Sequence, residues 1–446
     1  MLECLSFVIR IRRNLMLAKL SIIVKLIIVF SLLCFEQNVF AIKHKHAGNL
    51  HKHKTHPAVV QPVSNIQAQS MPQPELKPTA AAVKMPGFIP APPDFDAKAY
   101  ILIDANSGHI IAEKNADQHL APASLTKVMT LYLIAQALSA GQTHLTDMVN
   151  VSEEAWRAGF GGSRMFIKVG TTVSVQDLIS GIATASGNDA TVAIAEHLAG
   201  SEQGFVNLMN QTARKLGMDN TNFTDSNGLP NNSHYSTARD LSVLSKAWIA
   251  NFPEYYPWFK ERWMTYNSIK QPNRNRLLWR DSSVDGLKTG HTNDAGYCLV
   301  VSAVRNGGMR LISVILDAKS DEARTKYSEA LLNYGFRFFE TRKLFAANTK
   351  LVSPRVWLGK EKTASFGLKN DFYITLPAGQ HSSLKAKADV GNNLKAPIIK
   401  GLTYGTLNIT LDGKTIASEP LVALQNNQRA NFIFAIYDYV IMLFQH

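Results

Sequence analysis

Apolar residues follow five patterns along this 446-residue chain. A run over residues 26–34, preceded by Arg10, Arg12, Arg13, Lys19 and Lys25 and followed by Val39-Phe40-Ala41, predicts a secretory signal over 1–41. Translation from Met16 would make that signal more compact. Strand-like runs at 99–104 and 109–113 flank Asn106-Ser107-Gly108 and predict a β-hairpin. A helical apolar run fills 125–138, and further strands are predicted over 283–292, 296–304 and 309–316. Five strands interrupted by a helical insert from Pro122 to about Asn273 fit an α/β fold, a sheet flanked by helices. Beyond Thr341 the pattern shortens to segments at 351–358, 364–368, 371–376, 384–390, 405–411 and 421–424, with Asp412-Gly413 as a hairpin turn; this predicts a small all-β sandwich. Residues 432–444 are nearly all apolar, with Asp438 their only charge. A helix of that length rises about 20 Å against a bilayer core of about 30 Å, so it is expected to lie in a membrane interface, the alternative being a helix docked on the sandwich.

Composition places the seams. Between Pro57 and Pro93 lie nine of the chain's eighteen prolines with few large apolar residues, a segment that cannot pack a core and reads as linker. Before it, Lys43-His44-Lys45-His46 and His51-Lys52-His53-Lys54 alternate histidine with lysine. The lysines repel a metal cation, so this stretch reads as a solvated basic tether and no metal site is expected. The expected division is signal 1–41, tether and linker 42–94, sheet-and-helix domain 95–340, β-sandwich 341–425 and C-terminal anchor 426–446. The formal charge is +13, and removing 1–41 takes away five basic and two acidic side chains, leaving +10. Such a surface is drawn to anionic lipid and cell-wall polymer; no binding motif accompanies the charge, which disfavours nucleic acid. With Cys4 and Cys34 in the signal, Cys298 stands alone, which precludes an internal disulfide, and it reads as a packing residue.

Three motifs carry the chemistry: Ser124-Leu125-Thr126-Lys127, Ser186-Gly187-Asn188 and Lys288-Thr289-Gly290. On a helix, Ser124 and Lys127 share one face. A serine hydroxyl is a weak nucleophile, so Lys127 must take its proton, which requires an ammonium destabilised by burial or by a second cation such as Lys288. Near a helix N-terminus, Ser124 finds backbone N–H groups for a developing oxyanion. Ser186 offers a proton relay, Asn188 an amide for a peptide backbone, and Lys288 with Thr289 suits a carboxylate. S-x-x-K alone is common; the ordered set, with its third member in a strand, is specific.

The chain resembles the low-molecular-mass penicillin-binding proteins that act as serine D-alanyl-D-alanine carboxypeptidases. The resemblance runs from about Phe95 to the C-terminus. It rests on Pro122-Ala-Ser-Leu-Thr-Lys127-Val-Met-Thr130, Ser186-Gly-Asn-Asp-Ala190, Asn273-Arg-Asn275, the stretch from Val284 to Thr292, and Gly335-Phe-Arg-Phe-Phe339. It implies a five-stranded antiparallel sheet flanked by helices, of β-lactamase/transpeptidase type, ahead of the all-β domain. It also implies acylation of Ser124, Lys127 as base, Ser186 and Asn188 in relay and substrate contacts, and Lys288, Thr289 and Arg274 on the terminal carboxylate. The strand residues Gly290 and His291 would line the site, the His291 N–H completing the oxyanion hole, while its imidazole reads more as a packing residue. Gly161-Gly-Ser-Arg164 is similar to a loop flanking the family's cleft. No cofactor is implied. The implied partners are peptidoglycan stem pentapeptides and, as covalent inhibitors, β-lactams; the implied location is the periplasmic face of the cytoplasmic membrane, held peripherally through 432–446. An alternative β-lactamase needs an E-x-x-x-N carboxylate loop, which is missing between Asn188 and Lys288. Endopeptidase action on crosslinks uses the same machinery, and a wall-binding scaffold would not need intact motifs.

Overall fold

The computed structural model describes residues 89–443 except Asn392. The signal and most of the tether expected over 1–94 lie outside the described residues, as do 444–446. The central sheet comprises β1 (Ala97–Asp104), β2 (Ile110–Lys114), β3 (Val284–Thr292), β4 (Gly296–Arg305) and β5 (Met309–Ala318). Its order is β2-β1-β5-β4-β3, and every neighbouring pair is antiparallel. Strand alternation divides the core. Ala99, Ile101, Val300, Ile312 and Val314 face the large helical insert, while Tyr100, Leu102, Leu299, Val301 and Ile315 face the other way. With both faces covered, the strands read as nearly continuous apolar runs, as a sheet sandwiched between helices must.

The insert supplies α1 (Lys127–Ser139), α2 (Asn188–Ala199), α3 (Glu202–Leu216) and α4 (Ala238–Asn251), and the strands are followed by α5 (Asp321–Phe338). Helix α1 buries Val128, Met129, Leu131, Tyr132, Ile134 and Ala135, apolar around nearly its whole circumference, which marks a central helix. Side-chain caps start its neighbours: Ser201 accepts from Gly204 N–H at 3.1 Å and Thr237 from Asp240 N–H at 3.0 Å. Helix α5 covers the opposite face with Leu331, Leu332 and Tyr334. The insert also holds two short antiparallel strand pairs, Met148–Asn150 with Thr172–Ser174 and the hairpin Trp263–Tyr266 with Ile269–Pro272, too brief to leave a periodic signal.

The expected seams shift. Ile89 packs with the cluster beneath α5, and the hydroxyls of Tyr334 and Tyr100 donate to the carbonyls of Pro90 and Pro93 at 2.9 and 3.2 Å. The end of the proline-rich segment is thereby fixed to the sheet domain rather than free of it. At the other seam, β6 (Phe339–Phe345) starts before Thr341 and pairs with β8 (Phe372–Pro377). A second sheet has the order β7-β11-β10-β9, from β7 (Phe366–Gly367), β9 (Leu384–Val390), β10 (Thr403–Leu411) and β11 (Lys414–Ala423). Phe366, Ile374, Leu407, Ile409 and Leu421 meet between these sheets. The strand expected over 351–358 is reduced to bridges from Val352, Arg355 and Trp357, because Pro354 lacks the N–H a ladder needs. Residues 421–424 end a longer strand whose first half is exposed and lacks the apolar signal.

Helix α6 (Phe432–Leu443) closes the described chain. Its buried Asp438 accepts from an Arg355 guanidinium N–H at 3.1 Å and from Leu358 N–H at 2.9 Å, while Phe432, Ile433, Phe434, Tyr437 and Tyr439 are exposed. Among the described residues no helix is long and apolar enough to cross a membrane.

Candidate active site

The first motif does not lie in a uniform α-helix. Ala123–Thr126 forms a 3₁₀ turn that passes into α1 at Lys127, and in a 3₁₀ turn residues three apart eclipse one another. Lys127 Nζ consequently lies 2.9 Å from Ser124 Oγ. It also donates to Asn188 Oδ1 at 2.7 Å and to the Asn227 carbonyl at 2.8 Å. The amine is fully buried, and burial is the main reason its pKa falls from 10.5 to about 7. Asp225, Asp189 and Glu202 oppose that fall, whereas the charge of Arg274 adds to it. Arg274 is thus one cation acting on Lys127, and Lys288, the one expected from sequence, is coupled to it through the repulsion that lowers the Lys288 amine; burial remains the larger cause.

The second motif follows a wide π turn at Gly181–Ala185 that ends with Ser186 in the left-handed region, φ 62°. This places the Ser186 hydroxyl inside the site, buried and without a hydrogen-bond partner. Asn188 opens α2 and turns its side-chain oxygen to Lys127, so in this structure it holds the base. Asp189, singled out only as part of the motif, gathers the N–H groups of Met165, Phe166 and Ile167 at 2.8, 2.9 and 3.2 Å. Asn188 N–H donates to the Ser163 carbonyl at 2.8 Å. The second motif therefore anchors the glycine-rich loop at Gly162-Ser163-Arg164, and Gly187 permits the approach, since a Cβ there would lie 2.9 Å from Met165 N.

The third motif lies on edge strand β3. Gly290 presses on the nucleophile turn, where a Cβ would come within 2.8 Å of the Pro122 carbonyl. Lys288 and Thr289 are buried, and Lys288 Nζ donates to the Thr289 carbonyl at 3.2 Å. Burial, then repulsion from Lys127, Arg274 and Arg324, holds the Lys288 amine well below the ordinary lysine range. Arg274 donates to Ser163 Oγ at 2.5 Å, bringing it to the same loop. His291 is exposed with its ring 4.0 Å from that of Tyr297. Cys298 is buried behind the strand, and burial pushes its thiol up to about 12.

Two contributions are invisible in the motifs. The loop Asp225-Ser226-Asn227-Gly228 supplies the carbonyl that Lys127 uses; the Asp225 carboxylate fixes it by accepting from the N–H groups of Asn227 and Gly228 at 2.9 and 2.5 Å. Although burial raises the Asp225 pKa, His234 and these N–H groups together hold it below the usual carboxylate value. His234 also hydrogen-bonds Thr126 at 2.8 Å, and Thr130 donates to the Ser226 carbonyl at 2.6 Å, so the loop is tied to the nucleophile turn through His234 and to α1 directly. An Asp-x-Asn-Gly sequence signals a turn and nothing about its neighbours across the fold. From α5, the buried Arg324 donates to the carbonyls of Gly290 and Cys298 at 2.8 and 3.0 Å.

Residues 87–320 match the family described as D-alanyl-D-alanine carboxypeptidase, and residues 339–429 match the C-terminal domain of penicillin-binding protein 5. The chain is 47% identical over 358 residues to the D-alanyl-D-alanine carboxypeptidase DacC of Escherichia coli, spanning 79% of this chain and 89% of the relative. It is 46% identical over 365 residues to DacA of the same organism, spanning 80% and 90%. Penicillin-binding protein 5 from Haemophilus influenzae superposes with a TM-score of 0.73 at 44% identity, covering 76% of this chain and 99% of that one. The three-motif cleft thus stands on the scaffold its sequence implies, and the chain belongs to the serine-type D-alanyl-D-alanine carboxypeptidase family of penicillin-binding proteins.

Proposed function

We propose that Ser124 is the residue acylated when this carboxypeptidase removes the terminal D-alanine from peptidoglycan stem pentapeptides, and that the same hydroxyl is acylated by β-lactams. The carrying observation is the placement of Lys127 Nζ 2.9 Å from Ser124 Oγ with its two other directions taken by acceptors, Asn188 Oδ1 and the Asn227 carbonyl. A neutral amine has two N–H groups and one lone pair. With both N–H groups engaged, the lone pair faces the serine.

Ser124 Oγ forms a bond to the carbonyl carbon of the penultimate D-alanine as its proton passes to Lys127. The oxyanion is met by the N–H groups of Ser124 and His291. The C–N bond breaks, the free Ser186 hydroxyl relays a proton to the leaving amine, and D-alanine departs; water then cleaves the acyl-enzyme. Arg274, Lys288 and Thr289 bind the terminal carboxylate, and Asn188 acts first by holding Lys127. We place the catalytic domain at 95–340 with Ile89–Asp94 as its packed lead, the all-β domain at 341–425, and α6 as a peripheral anchor on the periplasmic face of the cytoplasmic membrane. The predicted signal and the exposed aromatic residues of α6 support that location.

The test is incubation with a pentapeptide ending in D-Ala-D-Ala, with free D-alanine and cleaved crosslinks assayed separately. D-alanine release is expected, together with covalent fluorescent-penicillin labelling that Ser124→Ala abolishes while the thermal transition stays near wild type. Labelling of the variant at the wild-type rate would refute Ser124 as nucleophile.

A further inference from the structure

Beside the cleft, the hairpin Trp263–Tyr266/Ile269–Pro272 turns Met264 into the core and leaves Trp263, Thr265, Lys270 and Pro272 facing outward. Trp263 is 48% exposed and meets Trp279, 41% exposed, edge to face with ring centroids 5.2 Å apart. Lys270 Nζ lies 4.6 Å from the Trp263 ring centroid, and the Arg262 guanidinium lies 5.4 Å from that of Trp279. Among the described residues neither cation has a carboxylate partner, whereas the nearby Arg276 and Arg280 both pair with Glu322. Two large aromatics left out of the core together, with unneutralised cations over them, are unlike scattered surface hydrophobics and mark a recognition surface.

The hairpin is fastened to the cleft. Asn273 N–H donates to the Arg262 carbonyl at 2.8 Å, Gln271 Nε2 donates to the Arg164 carbonyl at 3.2 Å, and Arg274, next along the chain, reaches Ser163. Whatever occupies the tryptophan pair is therefore held close to a substrate in the cleft.

We propose that Trp263, Trp279, Lys270 and Arg262 form a subsite for the peptidoglycan strand that carries the stem peptide, the tryptophans taking sugar rings and the cations taking carboxylates of neighbouring stems. The proposal rests on the carboxypeptidase reading above. Its occupant follows from charge complementarity, since this polymer presents apolar sugar faces and repeated carboxylates, the two chemistries the patch offers. A second contact on a polymer raises the effective concentration of its stems at Ser124, and a free pentapeptide gains nothing from it.

The experiment uses the full chain carrying Trp263→Ala with Trp279→Ala, and separately Arg262→Glu with Lys270→Glu. A Trp263→Phe, Trp279→Phe variant controls for loss of aromatic packing. Each is assayed for D-alanine release from a soluble pentapeptide and from insoluble pentapeptide-rich peptidoglycan, and for co-sedimentation with peptidoglycan and with anionic phosphatidylglycerol vesicles. Expected are soluble-peptide turnover within about twofold of wild type, at least a fivefold loss on the polymer in both disruptive variants, and substantial recovery with phenylalanine. Polymer turnover and binding equal to wild type would overturn the subsite, as would equal losses on both substrates or a loss confined to vesicles. Failure of the wild type to release D-alanine from the soluble peptide would instead refute the carboxypeptidase reading, and peptidoglycan co-sedimentation would still judge the subsite.

Discussion

The base assignment makes a quantitative prediction about pH. With a Lys127 pKa of about 7, the free-amine fraction is about 0.1 at pH 6, 0.5 at pH 7 and 0.9 at pH 8. An ordinary lysine at 10.5 would offer only about 0.0003 at pH 7, a loss of roughly 1,500-fold. The second-order rate of labelling by fluorescent penicillin, followed by stopped flow, should therefore rise about tenfold per pH unit below 6 and level off above about 8. Asp225 favours the ammonium and Arg274 disfavours it. Asp225→Asn, which keeps an oxygen for the Asn227 and Gly228 N–H groups, should move the acidic limb to lower pH. Arg274→Gln should move it to higher pH, whatever it does to the plateau. Lys127→Ala should slow labelling by at least about a thousandfold at all pH values. A limb that climbs past pH 9 without levelling, or that shifts in the same direction in both charge variants, would refute Lys127 as the base.

A substrate amidated at its C-terminus loses a charge-assisted contact worth about 1.5 to 3 kcal/mol, so its kcat/KM should fall about ten- to a hundredfold; equal turnover of acid and amide would remove Arg274 and Lys288 from the carboxylate site. Arg324 donates to the carbonyl of the peptide unit whose N–H is assigned to the oxyanion hole, so Arg324→Gln should lower kcat by about ten- to a hundredfold with KM little changed and partial rescue by Arg324→Lys. An effect on KM alone would assign Arg324 to binding. A chain ending at Asn427 should leave the membrane fraction and keep full activity on short peptides. The full chain should resist high salt but leave in detergent, because apolar burial outweighs charge for α6; release by salt alone would make the basic tether the anchor.

The features legible in the sequence were those written locally. Strand alternation and two glycine turns mark the β1–β2 hairpin and the β10–β11 turn, where Asp412 and Gly413 take φ 49° and 82°. The motif residues identified themselves because their chemistry is tied to fixed spacing. What escaped depends on contacts made across the fold. Lys127 meets Asn227 through a backbone carbonyl, which no side chain advertises, and Arg324 reaches Gly290 from the far side of β3. The same limit applies to Asp189, whose carboxylate serves N–H groups more than twenty residues earlier. Strand β6 was hidden for a different reason: it continues directly from α5 at Phe339, with no turn residue to punctuate the change.

The electrostatics of the cleft explain why binding and activation can reside in one small site. Lys127, Lys288, Arg274 and Arg324 influence one another there, and the carboxylates acting on Lys127, namely Asp225, Asp189 and Glu202, are committed to loop backbone or to Ser226. Arg324 is paired with Asp321, and an entering carboxylate supplies the counter-charge that Lys288 and Arg274 lack, which favours binding. It also screens Arg274 and so weakens one cause of the depressed Lys127 pKa. Burial is the larger cause and is complete before substrate enters, so the base survives the neutralisation that substrate binding requires. The same ordering governs stability. Because the folded Lys127 pKa lies below its unfolded value, the unfolded chain binds more protons between about 7 and 10.5, and this group's cost to the fold is relieved as pH rises through that window. Occupying the carboxylate site with a substrate analogue should stabilise the fold further, since the ligand answers a charge imbalance that the empty cleft must carry.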